Sequence, residues 1–163
     1  MRQSVGILIF RRKTSNIEVF LVHPGGPYWA KKDLGAWGVP KGEYHDGEEP
    51  LTAARREFFE ETGFACEGNF ISLGEVQQRG GKHVHAWAVE ADCDPAQLVS
   101  NTFSLQWPPR SGRFVETPEV DRGEWFNLQE ARRRMVTAQI PFLEALAGAL
   151  KPTCPEASPA SAS

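Results

Sequence analysis

Glu57, Glu60 and Glu61 crowd the last turns of an apparent helix. The stretch they close, GEYHDGEEPLTAARREFFEETGF from Gly42 to Phe64, holds seven carboxylates. At about 100° per residue the three side chains fall within an arc of roughly 100°, beside an apolar face formed by Leu51, Ala54 and Phe58. A solvated acidic surface is the ordinary explanation of such an arc. Two local costs oppose it here. Carboxylates at a helix C-terminus oppose the macrodipole, and Glu57 with Glu61 is a like-charge i,i+4 pair, so the arrangement costs about 0.5–2 kcal/mol. A hard divalent cation such as Mg²⁺ or Mn²⁺ would remove that cost, and clustered carboxylate oxygens are the ligands such a cation takes. Metal binding is therefore the sharper expectation for this helix.

The elements that must hold these groups follow from pattern. SVGILIFRR and IEVFLVH are β-branched and aromatic runs joined by KTSN, which predicts a hairpin. The next stretch, from Pro24 to Glu49, is rich in Gly, Pro and aromatics, and leaves room for a short strand near Trp37–Val39. A long loop of this kind inside a compact domain is usually functional. The acidic helix is predicted over Pro50–Thr62, with proline in its first turn and Gly63 just past its end. FISLGEVQQ and HVHAWAVEA flank RGGK as a second hairpin. A loose segment then runs from Asp92 to Glu119, GEWFNL forms a strand leading into helix, and the final helix, about Leu128–Leu150, is interrupted before Pro141. The last residues, KPTCPEASPASAS, are small, polar and proline-rich, which predicts a disordered tail over 151–163 after a domain over 1–150.

Composition narrows the function. At 163 residues the chain suits one domain, and 40% hydrophobic content suffices for a core around one sheet. A net charge of −3 and a pI near 5.8 give no general attraction for polyanions, so a phosphate-bearing partner must be held by a local site and long nucleic acid is disfavoured. Cys66, Cys93 and Cys154 show no CxxC spacing and read as ordinary thiols of a reducing compartment. The apolar run Val5–Phe10 is too short for a signal-peptide core or a membrane span, so a cytoplasmic location is expected.

Gly42, five residues, Glu48, seven residues, then Arg56-Glu57-Phe58-Phe59-Glu60-Glu61-Thr62-Gly63-Phe64 resembles the Nudix box, GX5EX7REUXEEXGU with U apolar, at every fixed position. Phe58 and Phe64 take slots where the family more often has aliphatic residues. SVGILIFRR before IEVFLVH, followed by AWGVPKGE, is similar to the opening of the diadenosine-polyphosphate hydrolase branch of these MutT-like enzymes. PEVDRGEWFNLQEA is similar to the family's closing loop, strand and helix. The resemblance implies an α/β fold, the Nudix α/β/α sandwich, with a mixed β-sheet and the box as loop-helix-loop. It also implies that Glu57, Glu60 and Glu61 bind the metal, with the Gly42 carbonyl as a further oxygen ligand, and that the metal bridges phosphate oxygens and activates water. Glu48 and Arg56 are expected to pair and hold the loop against the helix, with a catalytic part for Arg56 second to that structural one. The general base is Glu57 or a glutamate outside the box.

Beyond the box, the same resemblance makes Glu119 the further metal-ligand candidate, with Glu116 its competitor. Lys41, beside the box glycine, and Lys82, at the head of a strand, are candidate phosphate contacts as point charges. Tyr28, Trp29 and Trp37 either stack on a base or belong to the core, and Trp37, which with Lys41 flanks Val39 and Pro40 just before Gly42, is the substrate-binding candidate among them, its ring expected to stack on a base. Trp87 reads as core. His83 and His85 share one strand face, with no zinc spacing about them. The expected activity is divalent-metal-dependent hydrolysis of a phosphoanhydride in a nucleoside polyphosphate, either a dinucleoside polyphosphate or a nucleoside triphosphate. A noncatalytic Nudix nucleotide-binding sensor and an RNA 5′-end pyrophosphohydrolase are the alternatives.

Overall fold

The computed structural model describes residues 3–14 and 16–150. The expected tail, and Cys154 within it, lie outside the described residues. The long first strand β1 (Gln3–Lys13) organises the rest. Its run is apolar on both sides because both sides are covered. Val5, Ile7 and Ile9 face one core and Leu8 and Phe10 face the other, the two-residue alternation of a strand buried on each face.

One edge of β1 pairs twice. Its end forms the expected hairpin with β2 (Asn16–Pro24), Phe10 opposite Val19, while its start pairs with β3 (Lys41–Glu43), Val5 opposite Gly42. The residues before β3 are wedged between β1 and β2. Val22 and Gly38 exchange backbone hydrogen bonds of 2.9 and 3.0 Å, and Ile7 N–H donates to the Pro40 carbonyl at 3.2 Å. The short strand expected at Trp37–Val39 therefore falls later, at Lys41–Glu43, with only isolated bridges at Trp37 and Gly38. Pro40 has no N–H to give and interrupts the ladder between them.

The other edge of β1 runs parallel to β5 (His83–Glu90), which forms the second expected hairpin with β4 (Ile71–Gln77). With β8 (Val120–Asn127) antiparallel to β2, the sheet reads β4-β5-β1-β2-β8 and is mixed, as expected. The segment between Asp92 and Glu119 is more regular than its sequence suggests. It contains a separate two-stranded ribbon, β6 (Thr102–Gln106) with β7 (Phe114–Pro118).

Helix α1 (Pro50–Thr62) covers one face, burying Ala53, Ala54 and Phe58 against Ile7, Ile9 and Phe20. The Glu49 side chain caps its start by accepting from Thr52 N–H at 3.0 Å, and Gly63 ends it at φ 80°, a left-handed conformation suited to glycine. Helices α2 (Leu128–Arg134) and α3 (Ile140–Ala149) cover the opposite face through Ala131, Phe142, Leu143 and Leu146. The interruption expected before Pro141 is there, with residues 135–139 between the two helices and Pro141 in the first turn of α3. The result is the α/β/α sandwich. No described helix is long and apolar enough to cross a membrane.

Candidate active site

Helix α1 ends where β3, the start of β8 and the β4–β5 turn converge. There a pocket of about 450 Å³ is lined by Gly42, Glu57, Glu60, Glu61, Lys82 and Glu119, with Lys41 at its side. Five carboxylates from two distant parts of the chain, Glu43, Glu57, Glu60 and Glu61 on one and Glu119 on the other, thus share one surface with two ammonium groups. Glu116, the competitor of Glu119, lies outside this lining and accepts a hydrogen bond from Thr102 on the ribbon at 2.6 Å.

Glu119 is carried to the pocket by main-chain bonds. Val99 N–H donates to the Thr62 carbonyl at 2.9 Å and Asn101 N–H to the Glu60 carbonyl at 2.8 Å, capping the exposed end of α1. Glu119 N–H then donates to the Asn101 carbonyl at 2.9 Å, and Gly25 N–H to the Glu119 carbonyl at 3.0 Å. The segment from Val99 to Asn101 is thus a strut joining the helix that bears the glutamates to the strand entry that bears Glu119.

The expected Glu48–Arg56 pair is present and bidentate. Arg56 Nε donates to Glu48 Oε2 at 2.8 Å and Nη2 to Oε1 at 3.0 Å, which holds the Glu48 carboxyl down at about 2. Arg56 Nη1 also reaches Glu57 Oε2 at 2.9 Å and Glu60 at 3.3 Å. One guanidinium therefore ties the loop to the helix and orients two of the candidate ligands.

Gly42 has a steric reason to be glycine. A Cβ there would stand 2.1 Å from Cδ and Oε1 of Glu57, so only a residue without a side chain lets that carboxylate lie against the β3 backbone. Burial raises the Glu57 and Glu61 carboxyls above their ordinary range, Glu61 to about 8, against the pull of Arg56 on Glu57 and of Lys41 on Glu61. Glu119 adds like-charge repulsion to both. Lys41 is shifted the other way, downward, by desolvation and by Lys82, while its N–H donates to Glu61 Oε1 at 3.3 Å.

These are crowded, under-compensated oxygens, the donor chemistry of a hard divalent cation. The residues fit such an ion by type and by the Gly42 cradle. Among the described residues no three ligating groups are already drawn into a closed cage, and Arg56 holds Glu57 and Glu60 from one side. A cation's ligands would come by rotation of side chains that already share the pocket.

Lys41, Glu61 and Glu119 also line a second cavity of about 350 Å³. Its walls include Val22, Val39, Val120 and Trp29, and Gln78 and Gln139 add neutral polar groups to the lining. The two hollows share three charged residues, one side rich in oxygen and the other mostly apolar.

Trp37 is corrected by this geometry. It is 1% exposed, sits in the core edge-on to Phe126 with 5.1 Å between ring centroids, and gives its indole N–H to Asp33 at 2.8 Å, so it offers no face to a base. Trp29 lines the apolar cavity, while Tyr28 is 62% exposed and outside its lining. His83 faces Glu75 and His85 stacks on Trp87 and meets Ser72 Oγ, away from both hollows. Burial pushes the Cys66 thiol up to about 11 and the Cys93 thiol to about 12, which suits inert thiols and not nucleophiles. Gln78, Gln139 and Asn101 carry no motif and were not legible as site residues beforehand.

A mixed sheet between helices, with glutamates of a loop-helix-loop facing a second acidic strand entry, defines the Nudix class of architecture. The chain belongs to the NUDIX family, whose domain model matches residues 1–146. It is 43% identical to an RNA pyrophosphohydrolase of Bartonella bacilliformis, covering 78% of each chain. It is 28% identical to an RNA pyrophosphohydrolase of Rhizobium meliloti over 58% of this chain, and that match spans only 60% of the relative's length. Among solved structures it is similar to an Ap4A hydrolase of C. elegans in a binary complex, at TM-score 0.61 and 19% identity over 92% of this chain and 98% of that one. It is also similar to the NUDIX domain of Shewanella oneidensis NrtR complexed with ADP ribose, at TM-score 0.63 and 15% identity over 93% and 89%. At these identities the two structures speak for the fold. Nudix hydrolases generally need a divalent metal.

Proposed function

We propose that this chain hydrolyses a phosphoanhydride bond in a nucleoside polyphosphate, with Mg²⁺ or Mn²⁺. The observation that carries the reading is the sharing of Lys41, Glu61 and Glu119 by an oxygen-rich pocket and an apolar cavity, one suited to a polyphosphate and the other to a base. The pyrophosphohydrolase relatives support cleavage at a pyrophosphate bond. A divalent ion held by Glu57, Glu60, Glu61, Glu119 and the Gly42 carbonyl would polarise the phosphate and acidify the attacking water.

The chain's own groups do the remainder. Lys41 and Lys82 take phosphate oxygens as point charges, and the Lys41 ammonium, pressed against its neighbour, is relieved when a phosphate arrives between them. Arg56 and Glu48 keep the glutamates in register. Glu57 and Glu119 are the candidates for taking the water's proton. A 5′-triphosphorylated RNA is the second reading, favoured by the names of the two relatives, and it asks for the same chemistry on a nucleotide at a chain end. A noncatalytic sensor is disfavoured because every box glutamate is present.

The test is turnover of ATP, GTP, diadenosine tetraphosphate, ADP-ribose and a short triphosphorylated RNA with Mg²⁺ or Mn²⁺, the products identified. Glu57→Gln and Glu61→Gln should each lower kcat by at least about 100-fold with the fold retained, since each removes one charged oxygen at constant volume. Near-normal turnover by both variants at saturating metal would refute the site.

A further inference from the structure

We infer that the apolar cavity is a nucleobase site in which Gln78 sets the preference, selecting a 6-oxopurine, guanine or hypoxanthine, over adenine. This rests on the nucleotide-hydrolase reading above and adds to it the identity of the base.

The argument begins at a main-chain atom. Val39 N–H can only donate, and it meets the side chain of Gln139 at 2.9 Å, so the receiving atom is the amide oxygen Oε1. The other end of that amide, Nε2, must then donate, and it meets Gln78 at 2.9 Å, where the receiving atom is Oε1. Polarity is therefore relayed from a backbone that cannot invert to the Gln78 side chain, whose uncommitted end is Nε2 with two N–H groups. No hydrogen bond within the described residues engages that nitrogen.

The relay is rigid where it needs to be. Gln139 is 2% exposed, and it lies against Gly38 so closely that a Cβ there would stand 3.0 Å from Oε1. Gln78 sits at the turn after β4, its N–H donating to the Lys82 carbonyl at 2.7 Å, and it lines the cavity together with Trp29, whose ring supplies an aromatic wall. Apart from Lys41, Glu61 and Glu119, which the cavity shares with the oxygen-rich pocket, the remaining lining is aliphatic or glycine, so a polar contact to the base depends on few groups.

A glutamine that reads adenine does so with both amide atoms, accepting from N6 and donating to N7. Gln78 has its oxygen held by Gln139 and presents a donor-only head. Guanine and hypoxanthine offer two adjacent acceptors, O6 and N7, and an N–H of Gln78 is received by them as a shared bond. Adenine puts its N6 donor in place of O6, so donor faces donor beside N7 in a mostly apolar hollow.

The experiment has a binding arm and a turnover arm. Calorimetric titration of the metal-free protein with GMP, IMP and AMP should give GMP and IMP at least about ten-fold tighter than AMP. The kcat/KM ratios for GTP, ITP and ATP with Mg²⁺ should follow the same order. Gln78→Leu should bring the GMP-to-AMP ratio within about three-fold. Gln78→Glu keeps an oxygen for Gln139, puts an acceptor where Nε2 stood, and should turn the ratio toward adenine. A measurement on the wild type alone guards against misfolded variants: 7-deaza-GTP, which lacks the N7 acceptor, should lose about ten-fold against GTP. Equal binding of GMP and AMP, tighter AMP, or a ratio untouched by Gln78→Leu overturns the inference. Should no nucleotide be hydrolysed with either metal, the hydrolase reading falls, while the GMP-to-AMP ratio still decides the base preference.

Discussion

Glu61 shows what a proposed ligand costs before an ion arrives. Its folded carboxyl titrates at about 8 against an ordinary value of 4.5, so between those limits the folded protein holds the proton more tightly than the unfolded chain. Its contribution is thus fully present below pH 4.5 and is lost as pH rises through 8. The Tm of the metal-free protein should fall between pH 5 and pH 8 and the fall should be shallower in Glu61→Gln, as differential scanning calorimetry would show. Lys41, shifted downward, acts in the opposite sense nearer its own titration, which is why the comparison stops at pH 8. Glu119 makes a second test at this scale, because it lines both hollows while Glu116 bonds to Thr102 on the ribbon. Glu119→Gln should lower kcat by about ten-fold or more with little change in KM, and Glu116→Gln should leave both within about two-fold. The reverse pattern in steady-state kinetics would remove Glu119 from the site.

The loop, the short strand and the helix of the box act as one unit, and Gly42 is where strand and helix meet most closely. Gly42→Ala forces only the far end of the Glu57 side chain to move, so stability should change by no more than about 1 kcal/mol while turnover falls by about 100-fold. Denaturant titration and kinetics on the same sample check both halves. Much of this unit was legible beforehand. Helix α1 has the expected bounds, since Pro50, Gly63 and the apolar face of Phe58 speak through local rules. The pairing of Glu48 with Arg56 was implied by the resemblance to the Nudix box and is present. What stayed hidden was set by contacts remote in sequence. β3 starts at Lys41 because β1 and β2 grip the residues before it, and Pro40 interrupts the run in a way the aromatic pattern at Trp37 does not reveal. Trp37 looked like a loop aromatic and is core, because α2 and β8 close over it. The β6–β7 ribbon pairs strands with weak patterning, and the Gln139–Gln78 link joins residues 61 positions apart with no motif at either end.

At the scale of the whole molecule the charge balance matters most. With a net charge of −3, the protein lacks the broad positive field that would gather the backbone of a long polyanion, so the proposed recognition of phosphate rests on the local lysines beside the glutamates. If triphosphorylated RNA is a substrate, kcat/KM for a chain of about five nucleotides and one of about thirty should agree within about three-fold, and both should respond weakly to salt. A steep gain with length, measured at two salt concentrations, would reveal an extended binding surface. The strut from Val99 to Asn101 bears on a different matter, the freedom of this sequence to drift. Its links to Thr62, Glu60 and Glu119 are made by peptide groups alone, so almost any side chain can replace another at position 101 without moving Glu119. Proline, which lacks the N–H, is the exception. Mutations could therefore accumulate at positions 99 and 101 over many generations while the distance from helix to second acid stayed fixed, whereas Ser100, whose Oγ accepts from Val120 N–H at 3.0 Å, ties the stretch to β8 through a side chain and is the position a lineage would keep.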